Sequence, residues 1–506
     1  MAVGNLSFFM DFLFGIIALG TFLILYIKYK HSYWQRRGVP TLPSSHWFFG
    51  NVKEIIKQEK PPAFVIGELY KQASESDDIL GIYILHKPFL LVRNPELVKQ
   101  ILVKDFNYFQ NRYFTARSPH DEIGSSSLFT IRNPKWKQLR TKITPVFTSG
   151  KLKKAFYLIT ATAESMNKYL GDQFSDGKKT ITIPMKDIAM KYTTDIISSI
   201  AFGIEVNSFD PEKVKFFNEA QKGLTMTVKR ATQFMLAFFF PTIASYIGSQ
   251  MLGESTNYFR KVFWESMDAR EMNKIKRGDL IDSLIELKNG EQETEFKFEG
   301  DALVGQSAIF FVAGRESSVT TITMTLYQLA KHPEYQKRVR EEIREILKEH
   351  GLTYESYQKM KYLHQITSET LRMYPPAPLL DRIANQDYKI PGTKVIVEKG
   401  TPVYVPLSGL HYDAKYHPDP YTFNPDRFSD ENKDKIAPFS YMPFGEGPRA
   451  CIASRLGLMQ SSMGLIMILK DFEVSLDPTY KGGLDVRNVF LAPAEGFRLN
   501  LTKLVE

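Results

Sequence analysis

Cys451 is the only cysteine in 506 residues, and it lies within Pro443-Phe-Gly-Glu-Gly-Pro-Arg-Ala-Cys-Ile-Ala-Ser-Arg-Leu-Gly457. With no second thiol in the chain, an internal disulfide is excluded. A lone sulfur is either a small buried hydrophobe or a thiolate held for a metal. Its flanks favour the metal. A glycine-rich, proline-stiffened turn carries it to the start of an apolar helix, whose first amides favour negative charge and lower a thiol's pKa. Amides of such a turn can also hydrogen-bond the sulfur and tune it.

Three further groupings have chemical potential. Ala313-Gly-Arg-Glu-Ser-Ser318 sets an acid, Glu316, beside a hydroxyl, Ser317, in the middle of an apolar helix, and taken alone it reads as an ordinary kinked helix. Its Ala-Gly pair is small enough to permit a local opening of the helix, and Arg315, unexpected in mid-helix, pairs with a nearby acid or faces a polar channel. Glu369-Thr-Leu-Arg372 pairs an acid and a base at i,i+3, and Pro425-Asp-Arg-Phe428 brings a second guanidinium, Arg427. Trp136 and Arg140 share a helix face at i,i+4. The nine histidines show no paired-ligand spacing, and His411 and His417 read as structural. No phosphate loop, dinucleotide fingerprint or Ser-His-Asp set is present, so nicotinamide and flavin are not expected to bind here.

Phe444, Gly447, Arg449 and Cys451 fall at the spacing F-x-x-G-x-R-x-C. With the motifs above, the chain resembles the cytochrome P-450 superfamily from anchor to C-terminus. Pro145-Val-Phe-Thr-Ser-Gly-Lys-Leu-Lys153 resembles its microsomal branch, and Tyr33-Trp-Gln-Arg-Arg-Gly-Val-Pro40 its insect members.

The resemblance implies a mainly α fold with small β-sheets, a b-type haem, and insertion of one oxygen atom from O2 into a lipophilic xenobiotic or endogenous lipid or hormone. It makes Cys451 the iron ligand, a thiolate that favours O–O cleavage. Arg449, Trp136, Arg140, Arg112, Arg382 and Phe444 become haem contacts. Glu316 and Ser317 become the proton-delivery pair. Glu369, Arg372 and Arg427 become a network locking the cysteine loop, and Phe114, Val312, Ala313, Ala377, Leu379 and Leu380 become substrate contacts. Two positions depart from the family pattern: Ser317 stands where threonine is usual, and Ala453 where glycine is usual. The implied partner is NADPH-cytochrome P-450 reductase, with cytochrome b5 as a second donor, and Lys135, Lys137 and Lys142 suit an acidic flavin domain. Two rivals remain open: a peroxide-rearranging isomerase or dehydratase on the same fold, and a membrane-tethered haem sensor.

These residues need elements to position them. Residues 1–27 read as a membrane anchor, because Phe8–Ile27 is a twenty-residue apolar run with Asp11 as its one charge. Lys28, Lys30, Arg36 and Arg37 follow it, which predicts that the C-terminal part stays cytoplasmic, and the resemblance implies the endoplasmic reticulum membrane. Residues 28–44 read as a basic, proline-stiffened hinge, and residues 45–506 as the catalytic domain. Within that domain the central helix is predicted over about 301–330. Strands are predicted at Ile79–Leu85 and Phe89–Val92 around a Lys87-Pro88 turn, with another pair around Pro391-Gly392. Asn289–Glu295 reads as a surface loop. Phe234–Pro241 is too short to span a bilayer and belongs either in the core or at a membrane-facing substrate entrance. The net charge of +9 lacks a run long enough for a nucleic-acid arm and fits anionic lipid or an acidic partner.

Overall fold

A 32-residue helix, Gly300–Lys331, runs through the centre of the protein, about 48 Å at 1.5 Å per residue. The computed structural model describes residues 2–44, 46–115, 121–174, 177–248, 250–290, 297–480 and 483–504. Small side chains let neighbours approach this helix closely. At Gly314, a Cβ would stand 2.8 Å from Ile197 of the helix Met185–Phe202. The helix stays continuous across Ala313-Gly314, so the expected local opening is not seen. The glycine instead serves interhelical contact. Ser454–Asp471 packs on the same central helix, and together these helices form the largest apolar core.

The rest of the fold brings β-strands to one flank. Ile79–Ile84 pairs antiparallel with Lys87–Val92, which runs parallel to Pro402–Pro406, itself antiparallel to Leu379–Ile383. The first turn is Leu85-His86 rather than Lys87-Pro88, because Leu85 takes φ +51° and closes a two-residue loop. Proline 88 therefore lies inside a strand, opposite Tyr83. The Pro391-Gly392 turn joins Tyr388–Lys389 to Ile396–Val397 as expected. A three-stranded sheet near the C-terminus orders Thr180–Ile183, Leu499–Lys503 and Phe472–Leu476. Of the loop expected over Asn289–Glu295, the part from residue 291 onward lies outside the described residues.

The N-terminal helix Ala2–His31 is, among the described residues, the one helix long and apolar enough to cross a membrane. Phe12, Phe14, Leu19 and Phe22 are exposed along it, as a helix surrounded by lipid requires. The segment after it is packed rather than free. Trp34 is fully buried against Gly81, where a Cβ would come within 2.4 Å of its ring. The Tyr83 hydroxyl accepts from the Trp34 amide at 3.0 Å, His31 Nε2 lies 2.8 Å from the Leu85 carbonyl, and the Gly81 amide donates to Pro40 at 2.8 Å. Arg37 and the Tyr33 hydroxyl both reach Glu398. Half-buried and hydrogen-bonded to that carboxylate, the Tyr33 phenol is pushed up to about 12.

Phe234–Pro241 takes the first of the two expected roles, packing into the core. It forms the end of the helix Val228–Phe239, with Phe238 and Phe239 buried against Phe89 and Tyr404 of the sheet. Phe234, Ala237 and Phe238 also line the central cavity.

Candidate active site

One cavity of about 420 Å³ gathers nearly every residue singled out from the sequence. Its wall includes Cys451, Arg449, Phe444 and Ala453 from the cysteine loop and Trp136 and Arg140 from the helix Lys135–Ile143. It also includes Arg112 and Phe114, Ala377, Leu379, Leu380 and Arg382, and Val312, Ala313, Glu316 and Ser317 from the central helix. Arg315 is absent from this wall.

The loop that presents the sulfur is tied at its ends, because the Cys451 amide donates to the Phe444 carbonyl at 2.8 Å. Gly447 sits at φ +72°, and a Cβ there would stand 2.1 Å from the Leu102 carbonyl oxygen. No other residue fits that approach. Cys451 is exposed, and the cavity is the space it borders. Burial within the protein pushes its thiol up, against the lowering effect of the Ala453 amide, Arg140 and Arg112. The helix begins at Ser454, three residues beyond the sulfur, so its dipole acts weakly there.

Positive charge is crowded on one side of the cavity. Arg112 pairs with Asp381 at 2.9 Å and stacks over Phe129 at 4.1 Å. Arg449 stacks over Trp136 at 4.0 Å and donates to the carbonyls of Gln110 and Ile131. Arg382 donates to the Asp381 carbonyl at 2.8 Å. Burial, then the neighbouring Arg112, pushes the Arg449 guanidinium down to about 8 and that of Arg382 to about 9. Arg112 Nε, Arg382 Nε and Arg449 Nη1 are buried without a hydrogen-bond partner. Three guanidiniums around one carboxylate, with donors to spare, are built to receive an anionic group.

The distal wall carries the acid and the hydroxyl. Ser317 Oγ donates to the Ala313 carbonyl at 2.7 Å, and Gln460 Nε2 donates to the Gly314 carbonyl at 2.7 Å and bonds Ser318. Glu316 Oε1 lies 3.2 Å from Arg315 Nη1. Behind the cavity, Glu369 and Arg372 are fully buried and pair through two bonds of 2.8 Å. Arg427 Nε adds a third contact at 3.3 Å, and the Asn424 amide a fourth at 3.0 Å. Arg372 also donates to the carbonyls of His411 and Pro420.

The family model for cytochrome P450 matches residues 40–501. This chain belongs to the cytochrome P450 family. It is 40% identical to cytochrome P450 6k1 of Blattella germanica, an alignment covering 97% of each chain. It is 36% identical to probable cytochrome P450 6g2 of Drosophila melanogaster, over 95% of this chain and 96% of the relative. Cytochrome P450 6j1 of Blattella germanica is also 36% identical, over 95% of both. As a P450 the protein is a haem-thiolate monooxygenase.

The residues present fit the group the family carries. A sulfur opening onto the cavity suits the iron, and the unpartnered guanidinium donors of Arg112, Arg382 and Arg449 suit the haem carboxylates. Sequence reasoning passed over two residues of this P450. Asp381 is 1% exposed and also accepts from the Phe114 amide at 2.8 Å, anchoring the loop that carries Arg112. Its signal was a charge inside an apolar strand segment, Leu379-Leu-Asp-Arg382. Gln460 gave no signal, since a glutamine among apolar helix residues looks solvent-facing until a neighbouring helix is seen beside it.

Proposed function

We propose that this P450 oxygenates a lipophilic small molecule, xenobiotic or endogenous, with electrons passed from NADPH by a membrane-bound cytochrome P-450 reductase. The observation that carries this reading is the single cavity joining Cys451, the guanidinium cluster and the Glu316-Ser317 pair. When bound, the haem supplies the oxygen-activating iron. In this reading Cys451 is its thiolate ligand, with the sulfur deprotonated by coordination despite its burial. Arg112, Arg140, Arg382, Arg449 and Trp136 would hold the haem carboxylates, with Phe444 beside them in the cavity wall.

On the distal side, the Ser317 hydroxyl and the Glu316 carboxylate hand protons from water to the reacting centre. Phe114, Val312, Ala313, Ala377, Leu379 and Leu380 hold the substrate by apolar contact, so shape and lipophilicity select it. Glu369, Arg372 and Arg427 fix the segment that leads into the cysteine loop. Lys135 and Lys137 are exposed and suit an acidic donor domain, whether the reductase or cytochrome b5. Lys142 lies over the Phe298 ring at 5.3 Å and contributes less. Residues 1–27 anchor the protein in the endoplasmic reticulum membrane, residues 28–44 form a basic collar, and residues 45–506 carry the chemistry on the cytoplasmic side.

The test is the absorbance of the reduced, CO-bound protein, followed by turnover of a lipophilic probe. A red-shifted Soret band that vanishes in Cys451→Ser is expected, with turnover that requires both NADPH and reductase. An unshifted band would sink the thiolate assignment. Turnover of a peroxide without reductase would replace oxygenation by rearrangement.

A further inference from the structure

Arg315 is fully buried, on the one turn of the central helix where Glu316 and Ser317 meet the cavity. Its guanidinium points away from that cavity into the contact with two other helices. Nη2 bonds Gln221 of the helix Lys215–Leu224 and lies 3.4 Å from Met190 Sδ of Met185–Phe202. Phe217 covers it at 5.8 Å from the ring centre. All three neighbours are uncharged. Nε and Nη1 make no hydrogen bond, and among the described residues the carboxylate at ion-pair distance is that of Glu316, 3.2 Å from Nη1.

A cation taken fully out of water needs its counter-ion. The dependence is unequal, because the Glu316 side chain keeps 38% of its surface exposed while Arg315 keeps 0%. Water can stabilise the glutamate without the arginine, whereas the arginine has no alternative to the glutamate.

We propose that Arg315 is a positioning residue for Glu316: its guanidinium holds that carboxylate in one orientation at the cavity wall, and ties it through Gln221 to the helix Lys215–Leu224. The proton-delivery set of this P450 is then a triad of Arg315, Glu316 and Ser317, with one member outside the cavity. The catalytic consequence rests on the proton role proposed for Glu316; the pairing itself does not.

The experiment uses the full-length, haem-loaded protein. Arg315→Met removes the charge and should lower product per NADPH several-fold at unchanged haem content, and Arg315→Lys should restore it towards the wild-type value. Thermal melting supplies the second readout. Glu316→Gln strands a buried cation and should melt below wild type, and adding Arg315→Met should bring the melting temperature back up. A double variant that melts no higher than Glu316→Gln overturns the pairing. Unchanged product per NADPH in Arg315→Met, where Glu316→Gln lowers it, overturns the positioning role. Unchanged product per NADPH in Glu316→Gln itself upholds the pairing and removes Glu316 from proton delivery.

Discussion

The amide of Cys451 donates to the carbonyl of Phe444 at 2.8 Å, so the residue that bears the sulfur is fastened to the start of its own loop. The loop between them turns on two left-handed glycines, Gly445 at φ +69° and Gly447 at φ +72°. Only the second is also crowded by backbone, with a Cβ position 2.1 Å from the Leu102 oxygen against 3.6 Å from the Leu380 side chain at Gly445. Gly447→Ala should therefore yield protein without the red-shifted CO band. Gly445→Ala, carrying only a left-handed strain of roughly 1–2 kcal/mol, should keep most of it. Equal haem contents in the two variants would contradict this account.

Glu369 and Arg372 are fully buried, and four Arg372 donors go to Glu369 and to the His411 and Pro420 carbonyls, while Glu369 also accepts from the Asn424 amide and Arg427. Removing one partner of such a pair costs about 3–5 kcal/mol. Glu369→Ala and Arg372→Leu should accumulate as haem-free or insoluble protein. Arg427 is partly exposed and makes the longer 3.3 Å contact, so Arg427→Ala should lose less. Haem content per polypeptide, measured side by side, checks the order.

His411 and His417 give the fold an acid sensitivity. His411 lies 3.0 Å from the Arg372 carbonyl through Nδ1 and accepts the Met442 amide at Nε2, a role only the neutral ring can fill. Burial pushes His411 down to about 3 and His417 to about 4. Both folded values lie below the unfolded value near 6.5, so the unfolded chain takes up protons first. Stability should be full above about pH 6.5 and fall steadily as pH drops towards 4, by about 2 kcal/mol for each histidine at pH 5. Melting temperatures between pH 7.5 and 5 test the direction, and a flat profile would refute it.

Ser317 holds its hydroxyl on the Ala313 carbonyl at 2.7 Å, within the cavity wall. Ser317→Ala should cut product per NADPH consumed several-fold while leaving substrate binding nearly unchanged. Ser317→Thr keeps the hydroxyl and stiffens it by β-branching, so its coupling should equal or exceed wild type. Coupling unaffected by loss of the hydroxyl would remove Ser317 from proton delivery.

Trp34 joins the N-terminal helix to the sheet by filling the space that Gly81 leaves open. Gly81→Val should expel the indole and loosen residues 28–44, seen as faster proteolysis between Lys28 and Arg37. The CO band of the catalytic domain should remain. Unchanged cleavage would mean that the sheet does not hold the collar.

Much of the candidate site's local geometry was legible because it depends on spacing along one element. The cysteine loop, the i,i+3 Glu369-Arg372 pair and the Glu316-Ser317 pair sit on single turns or helix faces, where a few residues fix the geometry. The apolar N-terminal helix was equally readable, since lipid demands a run of one character and one length. The central helix, expected over about 301–330, spans Gly300–Lys331.

Tertiary structure decided what depends on neighbours distant in sequence. Asp381 became the hub for Arg112 because a strand and a loop 269 positions apart meet. The Ala313-Gly314 step serves close packing against Ile197, a contact no local pattern announces. Trp34, within the segment 28–44, is packed on the sheet because Gly81 makes room for it. Arg315 is the clearest case. Sequence marked it as an odd charge in an apolar helix, and only the packing of Gln221, Met190 and Phe217 around it left Glu316 as its counter-ion. Spacing along one element names the reactive groups, but the charge state and orientation of each depend on which other elements exclude water from it.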